Sequence, residues 1–268
     1  MACTLEELQK IEYGILSQFA DYCEEHHITY GLAWGTLLGA IRHNGFIPWD
    51  DDVDVNMEVH EFRQLLRCLR KHPIPGLHLS WMDSEPENPF FFAKLRKNGT
   101  FMPEAAHYMK NIDINNGIWI DIFCYCGVPK NKTLAAWQDK LFLFYRSLSH
   151  LIYFHYDPNI DHPLTKTKVF KICMKLSKKS AFRLRKLLFW LYSHMGSRHS
   201  EKVLYNSPES SVPRVLLRKY ELPLSRHVFG DREYSVPQNY DEALTKLYGD
   251  YMTPKQYPSH TDLSSIQL

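Results

Sequence analysis

The sequence contains no Cys-x-x-Cys pair, no internal repeat, no low-complexity tract and no apolar run long enough to cross a bilayer. Its six cysteines are scattered from Cys3 to Cys173, so neither a disulfide framework nor a four-thiolate zinc site is written into it. The segment richest in apolar residues, LFLFYRSLSHLIYF (141–154), is short for a span and carries Arg146 and His150. The opening residues, MACTLEELQK, are acidic and amphipathic rather than basic and then apolar, so a secretory leader is not expected. Reduced thiols and a cytoplasmic location are therefore expected, and the sequons at Asn98 and Asn131 are read as chance. A surplus of charge is also missing. Against 32 Lys and Arg stand 30 Asp and Glu, a net charge of +2, so nothing global demands nucleic acid and any electrostatic message is local. The 14 histidines include no H-E-x-x-H, and no Walker A loop, G-x-G-x-x-G or G-x-S-x-G occurs. What is present, 44% hydrophobic and 23% charged residues, excludes disorder, collagen and coiled coil as whole-chain descriptions.

Hydrophobic periodicity organises the chain. Thr4 and Glu7 form a capping box before a helix reaching about residue 26, with Leu5, Leu8, Ile15, Leu16 and Phe19 at helical spacing. His26-His27 reads as its end. ITYGLAW (28–34) is a strand candidate, GTLLGAIRH (35–43) a glycine-led turn into a short helix, and DVDVNM (52–57) alternates with period two. VHEFRQLLRCLRK (59–71) is helical and stops before Pro73 and Pro75. LHLSWMD, FFFAKLR and GIWIDIFCY (117–125) read as strands, the last with one inward and one outward thiol at Cys124 and Cys126. From about 132 to 200 the pattern is long and helical. Asn239 can then cap a short helix that Gly249 ends.

The strongest local feature is Trp49-Asp50-Asp51-Asp52-Val53-Asp54-Val55. On a strand, Asp52 and Asp54 share a face while Val53 and Val55 point to the core. Two carboxylates about 7 Å apart on one face can cradle a hard divalent cation. A third is available at Asp121, between Ile120 and Ile122, where an acid is costly unless a cation or hydrogen bonds meet it. Upstream, Gly35-Thr36 opens a helix whose backbone N–H groups suit phosphate. Trp49 could stack on a base, whereas Trp34 is expected in the core. Three Asp on two strands after a Gly-Thr turn make the pattern of a nucleotidyltransferase fold: α/β (α+β), a mixed sheet flanked by helices, here with a helical insertion.

The wording of the first block, GLAWGTLLGAIRHNGFIPWDDDVDV, closely resembles the signature of the LicD phosphocholine transferases, a family itself similar to fukutin-type ribitol-phosphate transferases. Later blocks resemble it too: Lys94-x-Arg96 followed by Thr100, the Asp121 strand, and V-P-x-N-Y-D…Y-G-D-Y-M (236–252) before His260. The resemblance covers about 25–127 and 228–260, near half the chain. It implies transfer of a phospho-alcohol from CDP-choline or another CDP-alcohol to a glycan hydroxyl, such as a teichoic acid or lipopolysaccharide precursor, with release of CMP. It further implies Mg²⁺ (or Mn²⁺) on Asp52, Asp54 and Asp121, with Asp50 and Asp51 belonging to the motif. Gly35, Thr36, Arg42, His43, Trp49, Lys94 and Arg96 are the expected substrate contacts. The end of the chain follows the family pattern more loosely around His260.

Residues 1–130 are accordingly expected to be the catalytic core, 131–227 a basic helical region, and 228–268 a segment returning to the core. Between Leu164 and Ser200 stand ten Lys and Arg (Lys166, Lys168, Lys171, Lys175, Lys178, Lys179, Arg183, Arg185, Lys186, Arg198) and no Asp or Glu. Interleaved with aliphatic stripes, they fit peripheral contact with an anionic membrane at its inner face, where lipid-linked glycan acceptors are assembled. Two other functions compete. Asp52-Val53-Asp54 is also the D-x-D of a glycosyltransferase using a nucleotide sugar, and the basic segment alone would suit a non-catalytic module binding membrane or nucleic acid. The Gly-Thr turn with Lys94 and Arg96 favours phosphotransfer, and a non-catalytic module needs no convergent carboxylates.

Overall fold

A computed structural model of the 268-residue chain describes residues 3–104, 112–156, 175–206, 213–255 and 261–268. It begins with α1 (Leu5–Glu25), closed by the expected capping box: Thr4 Oγ1 accepts from the Glu7 N–H at 3.2 Å, and the Glu7 carboxylate accepts from the Thr4 N–H at 2.8 Å. Leu8, Ile15, Leu16 and Phe19 bury the inner stripe completely. His26 is the C-cap of this helix and His27 takes the left-handed turn (φ 52°). Short β1 (Gly31–Leu32) follows, and α2 (Trp34–His43) begins sooner than the sequence suggests, so the strand expected over 28–34 keeps only two residues.

β2 (Asp54–Glu58) runs into α3 (Val59–Lys71), which buries Val59, Phe62, Leu65 and Leu69 and ends before Pro73. β3 (Leu77–Ser80), β4 (Ala93–Lys97) and β5 (Trp119–Gly127) complete the central sheet in the order β1-β2-β5-β4-β3. Among the described strands only β2 and β5 pair in parallel; β1–β2, β5–β4 and β4–β3 are antiparallel. A parallel pair needs a long crossover, supplied here by α3, β3 and β4. Thr100 closes the β4–β5 connection, its hydroxyl donating to Lys97 O (2.8 Å) and accepting from the Ile118 N–H (3.0 Å). One face and the centre of the sheet are filled by Val55, Met57, Leu95, Ile120 and Ile122. Cys124 and Cys126 are both buried. Residues two apart on a strand share a face, which corrects the expectation of one inward and one outward thiol.

The segment 131–227 is not helical throughout. After α4 (Lys132–Tyr156), N-capped by Asn131 Oδ1, comes α5 (Lys178–His194), packed against α4. The chain then adds β6 (Lys202–Tyr205) and β7 (Val215–Leu217) to the far end of β5, making the sheet seven-stranded. The basic segment is also not a uniform charged face. Arg185 is fully buried and donates to Asn88 O (2.7 Å), Phe90 O (2.9 Å) and Ser149 Oγ (3.1 Å). Lys178 and Lys186 pair with Glu87 and Asp83, both at distance in sequence. Lys166, Lys168 and Lys171 lie outside the described residues. No helix among the described residues is long and apolar enough to cross a membrane. A β8–β9 hairpin (Leu224–Phe229, Arg232–Pro237) packs beside β1 and α2. Its turn depends on Gly230 (φ 72°), where a Cβ would sit 2.8 Å from the Tyr13 ring. α6 (Tyr240–Tyr248) follows, ended by Gly249.

Candidate active site

Strand register builds the site. Parallel pairing sets Asp54 opposite Asp121, and antiparallel pairing sets Lys94 opposite Asp121 from the other side. Partners in register share a face at about 4.8 Å spacing, so Asp54, Asp121 and Lys94 form one polar row across β2, β5 and β4. Ser80 on β3 extends it. Asp52 lies two residues before Asp54, ahead of the strand, and the Asp121 N–H donates to Val53 O at 2.8 Å. The expected carboxylates thus lie at one end of the sheet.

The start of α2 fixes this end. The buried Thr36 hydroxyl accepts from the Asp54 N–H at 2.8 Å, which holds the aspartate at the helix N-terminus. At Gly35 a Cβ would stand 3.0 Å from Asp50 Oδ2, so a side chain here would make that carboxylate give way by a few tenths of an ångström. Trp34 begins the helix with φ 41°, a conformation that a bulky residue holds only when its surroundings enforce it. Its ring meets Phe123 edge-on, centroids 4.4 Å apart, as core packing predicts. At the other end of α2, Arg42 donates to Tyr251 O (2.7 Å) and to His43 Nε2 (2.9 Å). Burial, helped by the Arg42 charge, keeps the His43 pKa below its usual value. Trp49 is partly buried against the core.

Lys94 and Arg96 share a face, as expected, and both are nearly or fully buried among acids and rings. Lys94 Nζ lies 3.0 Å from Asp121 Oδ1, 3.6 Å from Glu104 Oε1 and 3.9 Å from the Trp119 ring centroid. Arg96 binds the Glu104 carboxylate and donates to Gly117 O at 3.2 Å. Arg96 therefore braces the site from within, while Lys94 stands in the polar row. The sequence reading missed Glu104, which folds back onto Lys94 and Arg96 from the connection that follows β4. It also missed the C-terminal strap: the Thr261 N–H donates to Asp51 Oδ2 at 2.7 Å. His260 itself lies outside the described residues.

Charge crowding shows in the titration of the cluster. Burial pushes the Asp52 carboxyl well above the usual range, and Asp50, Asp121 and Asp51 push it further, against the pull of Lys94. Asp121 is also raised by burial, a shift that Lys94 opposes. A further acid, Glu12 on α1, is completely buried with both carboxylate oxygens hydrogen-bonded to nothing. No three carboxylate, imidazole or thiolate groups among the described residues converge closely enough to hold one ion as they stand. The donor set suits a hard divalent cation in its chemistry: carboxylate oxygens in surplus over the Lys94 ammonium, with a buried acid left unpartnered. Asp52, Asp54 and Asp121 are the residues that would hold it, with Asp51 beside them.

Residues 27–143 match the family described as LicD/FKTN/FKRP, nucleotidyltransferase domain. The chain is also 28% identical over 274 residues to the lipopolysaccharide cholinephosphotransferase LicD of Haemophilus influenzae, covering 93% of this chain and 91% of that protein. Residues 27–143 are thus similar to the nucleotidyltransferase domain of the LicD family. Shorter matches reach uncharacterised proteins of Rickettsia typhi (40% identical over 58 residues, 20% of this chain and 18% of the relative) and Rickettsia prowazekii (41% over 49 residues, 18% of each). The LicD domain spans β1 to the first half of α4, and so contains Gly35, Thr36, Asp50 to Asp54, Lys94 and Asp121. α1 with Glu12, and the strap with Thr261, lie outside the matched LicD region yet meet the same cluster.

Proposed function

We propose that this chain transfers phosphocholine, or a related phospho-alcohol, from a CDP-activated donor to a hydroxyl of a cell-envelope glycan, a lipopolysaccharide or teichoic acid precursor, and releases CMP. The observation that carries the reading is the in-register row Asp54–Asp121–Lys94 beside Asp52 and the α2 turn, within a chain similar along nearly all its length to a cholinephosphotransferase. Phosphoryl transfer asks a protein chiefly for positioning and electrostatics, and this row offers both. In the proposed step the acceptor oxygen forms a bond to the phosphorus next to the alcohol. The bond from that phosphorus to the bridging oxygen breaks, and CMP leaves with the electron pair. The acceptor's proton passes to Asp121. Lys94, 3.0 Å from Asp121, keeps that carboxylate oriented and offsets charge on the transferred oxygens. The α2 N-terminus at Gly35-Thr36 would face the donor phosphates. Mg²⁺ bound by Asp52, Asp54 and Asp121 would neutralise the diphosphate charge.

Exposed Leu187 and Trp190 on α5, near Lys179 and Arg183, support a peripheral contact with an anionic membrane carrying a lipid-linked acceptor. The test is direct: incubate the protein with Mg²⁺ and a panel of CDP-alcohols and follow CMP with and without envelope glycan. Acceptor-dependent CMP from CDP-choline or one congener is expected. Turnover of a UDP-sugar instead would replace the proposal with glycosyl transfer.

A further inference from the structure

We infer that Glu12 is a further carboxylate of the cation site, reaching it from α1. The inference rests on the reading that the acidic cluster binds a divalent cation. Three observations carry it. Gln9, one turn earlier on the same helical face, donates through Nε2 to Asp50 O (2.9 Å) and Ile47 O (3.4 Å), so this face of α1 is seated on the loop that carries Asp50 to Asp52. Glu12 itself is completely buried, and neither carboxylate oxygen has a hydrogen-bond donor. The ionisable groups acting on it are Asp52, Asp51, Asp50 and Asp121.

A buried carboxyl group without a donor is costly, and a protonated one would still seek an acceptor for its hydrogen. The charged groups that act on it are acids. A divalent cation supplies what the pocket lacks, since it takes six to eight oxygen ligands as Ca²⁺ or about six as Mg²⁺, more than the Asp52, Asp54 and Asp121 carboxylates provide singly. Glu12 would then hold the ion from the helix side while the strand carboxylates hold it from the sheet.

The test uses the full chain without nucleotide. Mn²⁺ is titrated by electron paramagnetic resonance into the wild type, Glu12→Gln and Glu12→Leu, and metal-free melting is recorded alongside. Both variants should bind Mn²⁺ at least about tenfold more weakly, while metal-free Glu12→Leu melts at or above the wild-type temperature. Mn²⁺ binding unchanged in both variants, or a metal-free Glu12→Leu that melts lower and binds Mn²⁺ normally, would make Glu12 a packing residue and overturn the inference. Phosphocholine transfer by a wild type that binds neither Mn²⁺ nor Mg²⁺ would overturn the cation reading beneath it, a result distinct from either.

Discussion

Replacing Lys94 by Met removes one charge from the middle of the polar row and keeps most of the side chain's volume. Lys94 is 3% exposed, and its ammonium is 3.0 Å from Asp121 and 3.6 Å from Glu104. Arg96 still holds Glu104 in the variant, so the stranded group is Asp121. Removing one partner of a buried pair costs about 3–5 kcal/mol. Asp121 escapes part of this by taking up a proton, since burial already raises its carboxyl. A loss of about 2–4 kcal/mol near neutral pH remains, which lowers Tm by about 4–16 °C for a chain of this size. The methionine keeps contact with Trp119, Phe90 and Phe92, so lost packing adds little. The pH dependence identifies the cause. Without Lys94 the folded-state pKa of Asp121 rises further above its unfolded value, so the folded protein binds the extra proton and stability falls as pH rises. The Tm deficit should therefore shrink toward pH 5 and widen toward pH 8. Calorimetry across that range measures it, and the double variant Lys94→Met/Asp121→Asn should recover most of the Tm without activity. A deficit that is absent, or equal at every pH, would refute the assignment of the Lys94–Asp121 pair.

Asp52→Asn and Asp54→Asn should fold normally and lose about 10²–10³-fold in turnover, the scale of one transition-state electrostatic group; steady-state CMP release at saturating Mg²⁺ measures this, and near-normal rates would remove these residues from the site. Mg²⁺ with CDP should raise the wild-type Tm by mass action and raise that of Asp121→Asn much less; an equal rise would make Asp121 purely structural. Glu221 accepts from Tyr205 (2.6 Å) and Asn56 (3.2 Å), and burial lifts its pKa to about 7. A folded pKa above the unfolded value means that its contribution is full below the ordinary carboxylate range and is lost as pH rises toward about 7. Glu221→Gln should flatten the fall in Tm over that window, and an unchanged slope would contradict it.

Local chemistry made much of this legible in the sequence. The capping box at Thr4, the 3.6-residue stripe of α3 and the period-two run before Glu58 each carry their own signal, and the elements formed where those signals lie. The carboxylates of the site were visible because each is anomalous where it stands: Asp121 between isoleucines, Asp52 and Asp54 alternating with valines. Register joined them, and register is a property of two strands that neither sequence states alone. Glu12 left a readable trace. It falls on the same stripe as Leu8, Ile15 and Leu16, where an acid is out of place, but its neighbours are dozens of residues away. Thr261 and the buried Arg185 had no such trace, because their meaning lies entirely in partners distant along the chain, and Glu104 had none because nothing at its own position marks it until the chain folds back onto Lys94 and Arg96. β6 and β7 were hidden for a similar reason: strands of four and three residues show too few alternations to stand out beside a long helical pattern.

In the proposed transfer the donor bond that breaks is the one from the choline-bearing phosphorus to the bridging oxygen. CDP-choline labelled in both choline and cytidine, incubated with the protein, Mg²⁺ and an envelope glycan bearing free hydroxyls, can be followed by chromatography of both labels with ³¹P NMR of the glycan. One CMP should be released for each choline label appearing on the glycan, joined by a phosphodiester, and both should be lost in Asp54→Asn. Release of CDP with free choline, or choline label that never reaches the glycan, would contradict it.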